Sequence, residues 1–246
     1  MKKITAFILA LAMLASLTAC GGNDNPAPQN TPANNAPAVG NDTPSNEDNG
    51  GDNAGNDNGG NGDSDNHTAL IKPETNYRPG IVTEDGFESE YLSFRFSHPD
   101  FNIATRADLN KSMKLDPELT DLDELAAKMA NMKLTQEMGA GMDMTAGELT
   151  HVMVRTERGS QGGMTVDEYV ELTMTRYITG SVEQVGGLTL VEMAGHMYTR
   201  LDVDAKGFMF TYLLRELDDR VLVIVIGYEA DKPEELDRAL QGFSAY

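Results

Sequence analysis

The chain has 246 residues, with 19 basic against 39 acidic side chains, a net charge of −20 and a sequence pI near 4.4. A field of that sign repels nucleic acid and anionic lipid head groups and speaks against both as partners. One cysteine in the whole chain leaves no disulfide framework and no cysteine-built zinc set to consider.

Residues 1–19 read as a secretory signal. Lys2 and Lys3 precede an apolar run from Ile4 to Leu17, and Thr18 and Ala19 are the small residues of a cleavage point. The run is shorter than the roughly 18–20 apolar residues a membrane span needs. The sequence Leu17-Thr18-Ala19-Cys20 resembles the lipobox of bacterial lipoproteins. That resemblance implies cleavage between Ala19 and Cys20, a diacylglyceryl group on the Cys20 sulfur, and a lipid anchor on the extracytoplasmic side of the cell membrane. Each buried methylene of such an anchor contributes about 0.8 kcal/mol. An ordinary secretory cleavage beside a chance cysteine is the alternative.

Residues 20–67 follow as a tether. From Gly21 to His67 the chain is almost entirely Asn, Gly, Asp, Pro, Ala, Ser and Thr, with eight acidic side chains and no Lys or Arg. Such a composition cannot bury enough apolar area to offset chain entropy, so the expectation is disorder. As a Gly-rich coil its r.m.s. span would be roughly 35–40 Å, enough to lift a domain off a membrane. Asp52, Asp57, Asp63 and Asp65 do not fall into the register of a calcium loop.

Residues 68–246 are expected to form a single domain, apolar and aromatic from about Tyr77 onward, with 17 basic against 31 acidic side chains. Phe87 to Phe96 alternates as a strand does, ending at His98-Pro99. Thr105 to Leu115 begins like a helix. Asp121 to Leu134 carries Leu122, Leu125, Ala126, Met129 and Met132 at helical spacing. A glycine-containing loop would follow, then a strand from Leu149 to Thr156. Thr165-Val166-Asp167-Glu168 is a capping box opening a helix to about Ile178. Its inner stripe would be Val166, Tyr169, Val170, Thr173, Met174 and Tyr177.

The remainder reads as a meander of four strands, Leu188–Met193, His196–Asp204, Phe208–Leu217 and Arg220–Glu229, closed by a helix from Glu234 to Phe243 after Pro233. Ala205-Lys206-Gly207 suits a three-residue hairpin and Asp218-Asp219 a two-residue turn. Pairing the last two strands across Asp218-Asp219 puts Met209, Leu213 and Leu217 on one face with Leu222, Ile224 and Ile226. Phe208, Phe210, Tyr212 and Leu214 then share the other with Val221, Val223 and Val225. Both faces are apolar and both must be covered. The expected class is α+β, an antiparallel sheet flanked by helices.

The segment Glu90-Tyr91-Leu92-Ser93-Phe94-Arg95-Phe96-Ser97-His98-Pro99 resembles the opening strand of clostridial-type exported lipoproteins with a PsbP-like domain. The order strand, helices, strand, helix, meander, helix is similar from Phe87 to Tyr246. Asp100-Phe101 stands where that family usually has Gly-Trp, and the chain has no Trp. The resemblance implies an antiparallel sheet flanked by helices and an accessory role without catalysis. It carries over no catalytic residue and no cofactor.

Few residues suggest chemistry. His67, His98, His151 and His196 include no pair at the i, i+4 spacing of a zinc protease. Ser160 in Gly159-Ser160-Gln161-Gly162 lacks the first glycine of a nucleophile elbow. Gly139-Ala140-Gly141 lacks the third glycine of a dinucleotide loop. Asp218-Asp219 and Glu234-Glu235 read as a turn and a helix start. Met138, Met142 and Met144 would offer thioethers to copper(I), although methionine is also ordinary core filler. His196, Tyr198 and Arg200 share one face of a strand; at a sheet edge, Tyr198 and Arg200 would anchor a partner.

The reading is a membrane-anchored lipoprotein with a non-catalytic binding or accessory domain, whose partner is an unknown envelope protein or ligand. The alternatives are a metal-handling surface protein, for copper(I) or a divalent cation, and an envelope enzyme with an unrecognised site.

Overall fold

The computed structural model describes residues 76–142, 150–159, 162–177 and 182–246. The signal segment, Ala19 and Cys20, the tether, the boundary at 67/68, Met144 and Ser160 lie outside the described residues. Among the described residues no helix is long and apolar enough to cross a membrane.

The C-terminal meander forms the centre. Its strands are β7 (Glu183–Met193), β8 (His196–Asp204), β9 (Phe208–Glu216) and β10 (Val221–Glu229). Three further strands extend it: β4 (Phe101–Ile103), β5 (Leu134–Met142) and β6 (His151–Glu157). The seven-stranded sheet runs β4-β5-β6-β10-β9-β8-β7, antiparallel at every pairing. A four-stranded antiparallel sheet, β1 (Ile81–Val82), β2 (Phe87–Ser89), β3 (Phe94–Phe96) and β11 (Phe243–Ala245), is ordered β1-β2-β3-β11. The helices are α1 (Arg106–Ser112), α2 (Leu122–Met129), α3 (Val166–Tyr177) and α4 (Glu234–Gln241). The class is α+β.

β10 sits in the middle because it is apolar on both faces. Val221 to Tyr228 are all buried. Leu217 N donates to Arg220 O at 2.8 Å, closing the Asp218-Asp219 turn, so Leu213 pairs with Ile224 and Leu214 with Val223. Leu213, Leu222, Ile224 and Ile226 pack against Phe87, Phe94, Phe96 and Phe243 of the small sheet and Leu236 and Ala239 of α4. Val221, Val223, Val225, Phe210 and Tyr212 pack against Tyr169, with Val166, Val170 and Met174 of α3 beside them. Both faces are covered, one by a helix and the other by a second sheet together with a helix.

That second sheet arises where the chain departs from its local pattern. Phe87 to Phe96 is not one strand but two, folded back so that Phe87 pairs with Phe96 and Ser89 with Phe94. The turn between them holds Ser93 at φ 61° and is braced by Leu92 N donating to Ser89 Oγ. Alternation survives the reversal because paired residues share a face. At the C-terminus the helix stops at Gln241, and Phe243–Ala245 forms β11 against β3. Gly242 permits this close approach, since a Cβ there would lie 2.5 Å from the Phe96 ring.

The helix after Asp121 ends at Met129, earlier than its apolar spacing predicts, and Leu134 already belongs to β5. The glycine-containing segment that follows is therefore a strand over Gly139 and Gly141, not a loop. β7 begins five residues before Leu188. The capping box holds: Glu168 N donates to Thr165 Oγ1 at 3.2 Å, and Thr165 N to Glu168 Oε2 at 2.9 Å. The Ala205-Lys206-Gly207 hairpin also holds, with Lys206 and Gly207 at positive φ.

Candidate interaction surface

β7 is the outer strand of the large sheet. Ala194 and Gly195, at φ 51° and 77°, make the two-residue turn to β8 with the signature of type I′. Along most of β7 the side chains stand in solvent. Leu190 is 71% exposed, Val185 and Leu188 46% each, and neighbouring Met197 on β8 53%. Leu190 pairs with Thr199 and Glu192 with Met197, while Thr199 pairs with Leu214 of the α3-side core. Leu190 and Met197 thus lie on the α3 side of the sheet, beyond the core that α3 covers. The register slips between Val185 and Thr189, where Gly186 takes φ 71°. Charged side chains, Pro and bulges blunt native edges; β7 has Glu183, Glu192 and this slip, while Leu188–Val191 between them carries no charge and no Pro.

The face expected at an edge on β8 is placed differently. β8 lies inside the sheet, between β7 and β9. Tyr198 is fully buried in the core against the small sheet, so it offers no anchor to a partner. Its ring lies 5.4 Å from the Arg215 guanidinium. Arg200 is half-buried and held by Asp202, with Nε 3.0 Å from Oδ1 and 2.9 Å from Oδ2. His196 closes the hairpin opposite Met193, and burial beside Arg215 holds its imidazole below the usual value. The exposed apolar surface at this end of the sheet belongs to β7 and to Met197.

Met138 and Met142 are buried side chains of β5 in the core, and the Met142 sulfur accepts from Arg238 Nη1 at 3.8 Å. Among the described residues no group of three or more His, Cys, Asp and Glu is placed to hold a metal ion.

A cleft of about 660 Å³ opens between the β1–β2 turn and the start of α1. Its polar lining includes Thr83, Glu84, Asp85, His98, Asn102 and Arg106. The Arg106 Nη2 donates to Gly80 O at 2.8 Å, and His98 Nδ1 accepts from Asp100 N at 3.2 Å. These two contacts brace the backbone, and Arg106 Nη1 is buried without a hydrogen-bond partner.

Sequence reasoning missed a buried polar cluster beneath α1 and α2. β5 carries a bulge at Glu137, between Gln136 and Met138. A bulge re-aims the side chains around it, and here Thr135, Glu137 and Met138 all turn inward. Glu137 Oε1 accepts from Tyr77 Oη at 2.7 Å and Thr135 Oγ1 at 3.3 Å, and Oε2 from Gly80 N at 3.4 Å. Burial pushes the Glu137 carboxyl and the Tyr77 hydroxyl above their usual values. Thr135 and Thr156 share a hydroxyl hydrogen bond. Arg220, fully buried, donates to Thr156 Oγ1 at 3.3 Å and Ala130 O at 3.0 Å, and stacks 4.3 Å over the Tyr77 ring. Asp219 joins Arg220 Nε at 2.9 Å to Arg158 Nε at 2.8 Å. Asp219 is therefore both a turn residue and the counter-ion of two arginines. On the other face Arg155 Nη2 donates to Tyr169 Oη at 2.8 Å, fastening α3 to the sheet.

No protein-family model matches the chain, and no curated protein matches it. A solved structure, the solution structure of cyanobacterial PsbP (CyanoP) from Synechocystis sp. PCC 6803, aligns with a TM-score of 0.38 at 11% identity, over 68% of this chain and 95% of that chain. The α+β assignment rests on the sheet orders and registers given above.

Proposed function

We propose that the chain is an exported lipoprotein, anchored through Cys20 on the outer side of the cell membrane, that displays a non-catalytic binding domain on an acidic tether. The observation that carries the binding role is the β7 edge, whose Leu188 and Leu190 stand in solvent with Met197 beside them. An apolar edge left open is an aggregation hazard unless something meets it. Support for a non-catalytic role comes from the cleft, where Arg106 Nη2 is held by Gly80 O and His98 Nδ1 by Asp100 N. The anchor rests on the Leu17-Thr18-Ala19-Cys20 pattern.

Two measurements test this. Labelled palmitate should enter the chain in cells and be lost in Cys20→Ala, with the variant partitioning into buffer without detergent. In-cell cross-linking followed by mass spectrometry should recover one envelope protein reproducibly. Recovery of random neighbours alone would overturn the binding role.

A further inference from the structure

We infer that the β7 edge over Leu188–Glu192 takes up an extended segment of another protein by strand addition, and that this segment alternates apolar side chains and sets a Lys or Arg against Glu192. The inference rests on the binding role proposed above and names the chemistry of its partner.

The backbone argument comes first. A two-residue hairpin makes its closing pair, here Met193 and His196, a hydrogen-bonded pair. The pattern then alternates, so the N–H and C=O groups of Glu192 and Leu190 point away from β8, toward the open side. Among the described residues no strand pairs with that side. Past Thr189 the slipped register and Gly186-Gly187 end the regular ladder, which sets the length of the usable edge. Only an extended chain satisfies such a row of donors and acceptors.

The side chains set the chemistry. On the α3 side of the sheet, Leu190 lies next to Met197 and Thr199, and an apolar side chain of an added strand would cover it. Glu192 marks one end of the segment, with Glu183 farther along; β7 has no basic residue. On β8, Arg200 pairs with Thr189, so it lies on the opposite face from Glu192, held by Asp202. To gain a cross-strand charge pair rather than repulsion at the exposed Glu192, an added strand needs a Lys or Arg opposite it.

That requirement argues against a second copy as occupant. Antiparallel self-pairing centred on Leu190 would set each Glu192 against the other copy's Leu188, placing two carboxylates and no cation in one ladder. A second copy thus forgoes the cross-strand charge pair that a basic segment supplies.

The test titrates the full chain in detergent with two synthetic peptides of about ten residues. Both have a core of alternating Val and Thr; one ends in Lys at each terminus, the other in Glu. The Lys-ended peptide should bind saturably, slow exchange of the Leu190 and Glu192 amides, and bind about tenfold or more tighter than the Glu-ended one. Glu192→Lys, a surface substitution, should reverse that preference. Leu190→Pro should abolish binding with little loss of stability, because the lost N–H serves no bond to β8.

Equal binding of the two peptides, protection elsewhere on the domain, or unchanged binding by Leu190→Pro would overturn the inference. So would self-association of the chain that Leu190→Pro removes. In-cell capture of the same envelope protein by Leu190→Pro would refute the edge and leave the binding role standing. Absence of reproducible capture by the unaltered chain would refute the binding role itself.

Discussion

The Tyr77 hydroxyl donates to Oε1 of Glu137 across 2.7 Å, tying the first described residues of the domain to the bulge of β5. Both side chains are fully buried or nearly so. With Gly80 N donating to Oε2, it fastens the backbone before β1 to the sheet.

Tyr77→Phe removes a donor and leaves the Glu137 carboxyl buried, a loss of about 1–3 kcal/mol. Glu137→Gln keeps an acceptor and should cost less. Burial raises the Glu137 pKa and the Tyr77 hydrogen bond lowers it. A raised carboxyl favours the folded state below the unfolded value, and that contribution is lost as pH rises through the folded value. Removing Tyr77 raises the carboxyl further, so the Tyr77→Phe deficit should be larger at neutral pH than in acid. Urea denaturation at both pH values checks this; an equal deficit at both would show that the bond does not discriminate the charged form.

A second prediction concerns Gly227 in β10. A Cβ there would lie 2.2 Å from the His151 Cε1 on the paired strand β6. Gly227→Ala should therefore overpack the core and cost about 1–3 kcal/mol. Combining it with His151→Ala, which clears the ring, should recover part of that loss. Additive costs in the double-mutant cycle would show that the two positions do not compete for one space.

Much of the sheet was legible because β9 and β10 carry apolar residues on both faces, and a two-residue turn leaves one register. Leu213 opposite Ile224 followed from Asp218-Asp219 alone. The small sheet was less legible, since Phe87, Phe94 and Phe96 alternate identically in one strand or in a folded pair. β5 was obscured by Gly139, Gly141 and two methionines, Met138 and Met142, which weaken a strand pattern without forbidding it. β8 lies inside the sheet because β7 pairs along its length, from Met193 with His196 to Glu183 with Asp204, and Gly186-Gly187 hides the far part of that pairing. Glu137 reads as a surface residue in Thr135-Gln136-Glu137-Met138, because a bulge leaves no mark in the periodicity. The interaction surface was therefore placed one strand inward of where exposure now puts it.

The turn joining β7 to β8 supplies a stabilising substitution. Ala194 sits at φ 51°, a left-handed conformation that costs an L-residue with a Cβ roughly 1–2 kcal/mol. Asn visits this region more readily. Ala194→Asn should raise stability by about 0.5–1 kcal/mol without altering the Leu190 edge. A thermal midpoint that stays level or falls would show that the turn is not strained by alanine.

His151 supplies the strongest pH prediction. Its imidazole is buried at the start of β6, with its ring against Phe210 at a centroid distance of 6.1 Å. Burial pushes its pKa down to about 4, against about 6.5 in an unfolded chain. The folded state thus holds the ring neutral while the unfolded state takes up a proton. Stability from this source is complete above about pH 6.5 and is lost as pH falls toward the folded value. The total loss is about 3 kcal/mol over that window. His151→Gln cannot titrate, so the stability difference between the original chain and the variant should shrink by about that amount from pH 7 to pH 4. Glu137 changes in the opposite direction but is common to both chains and cancels. A difference that stays constant across the window would mean that the ring is already charged in the folded protein.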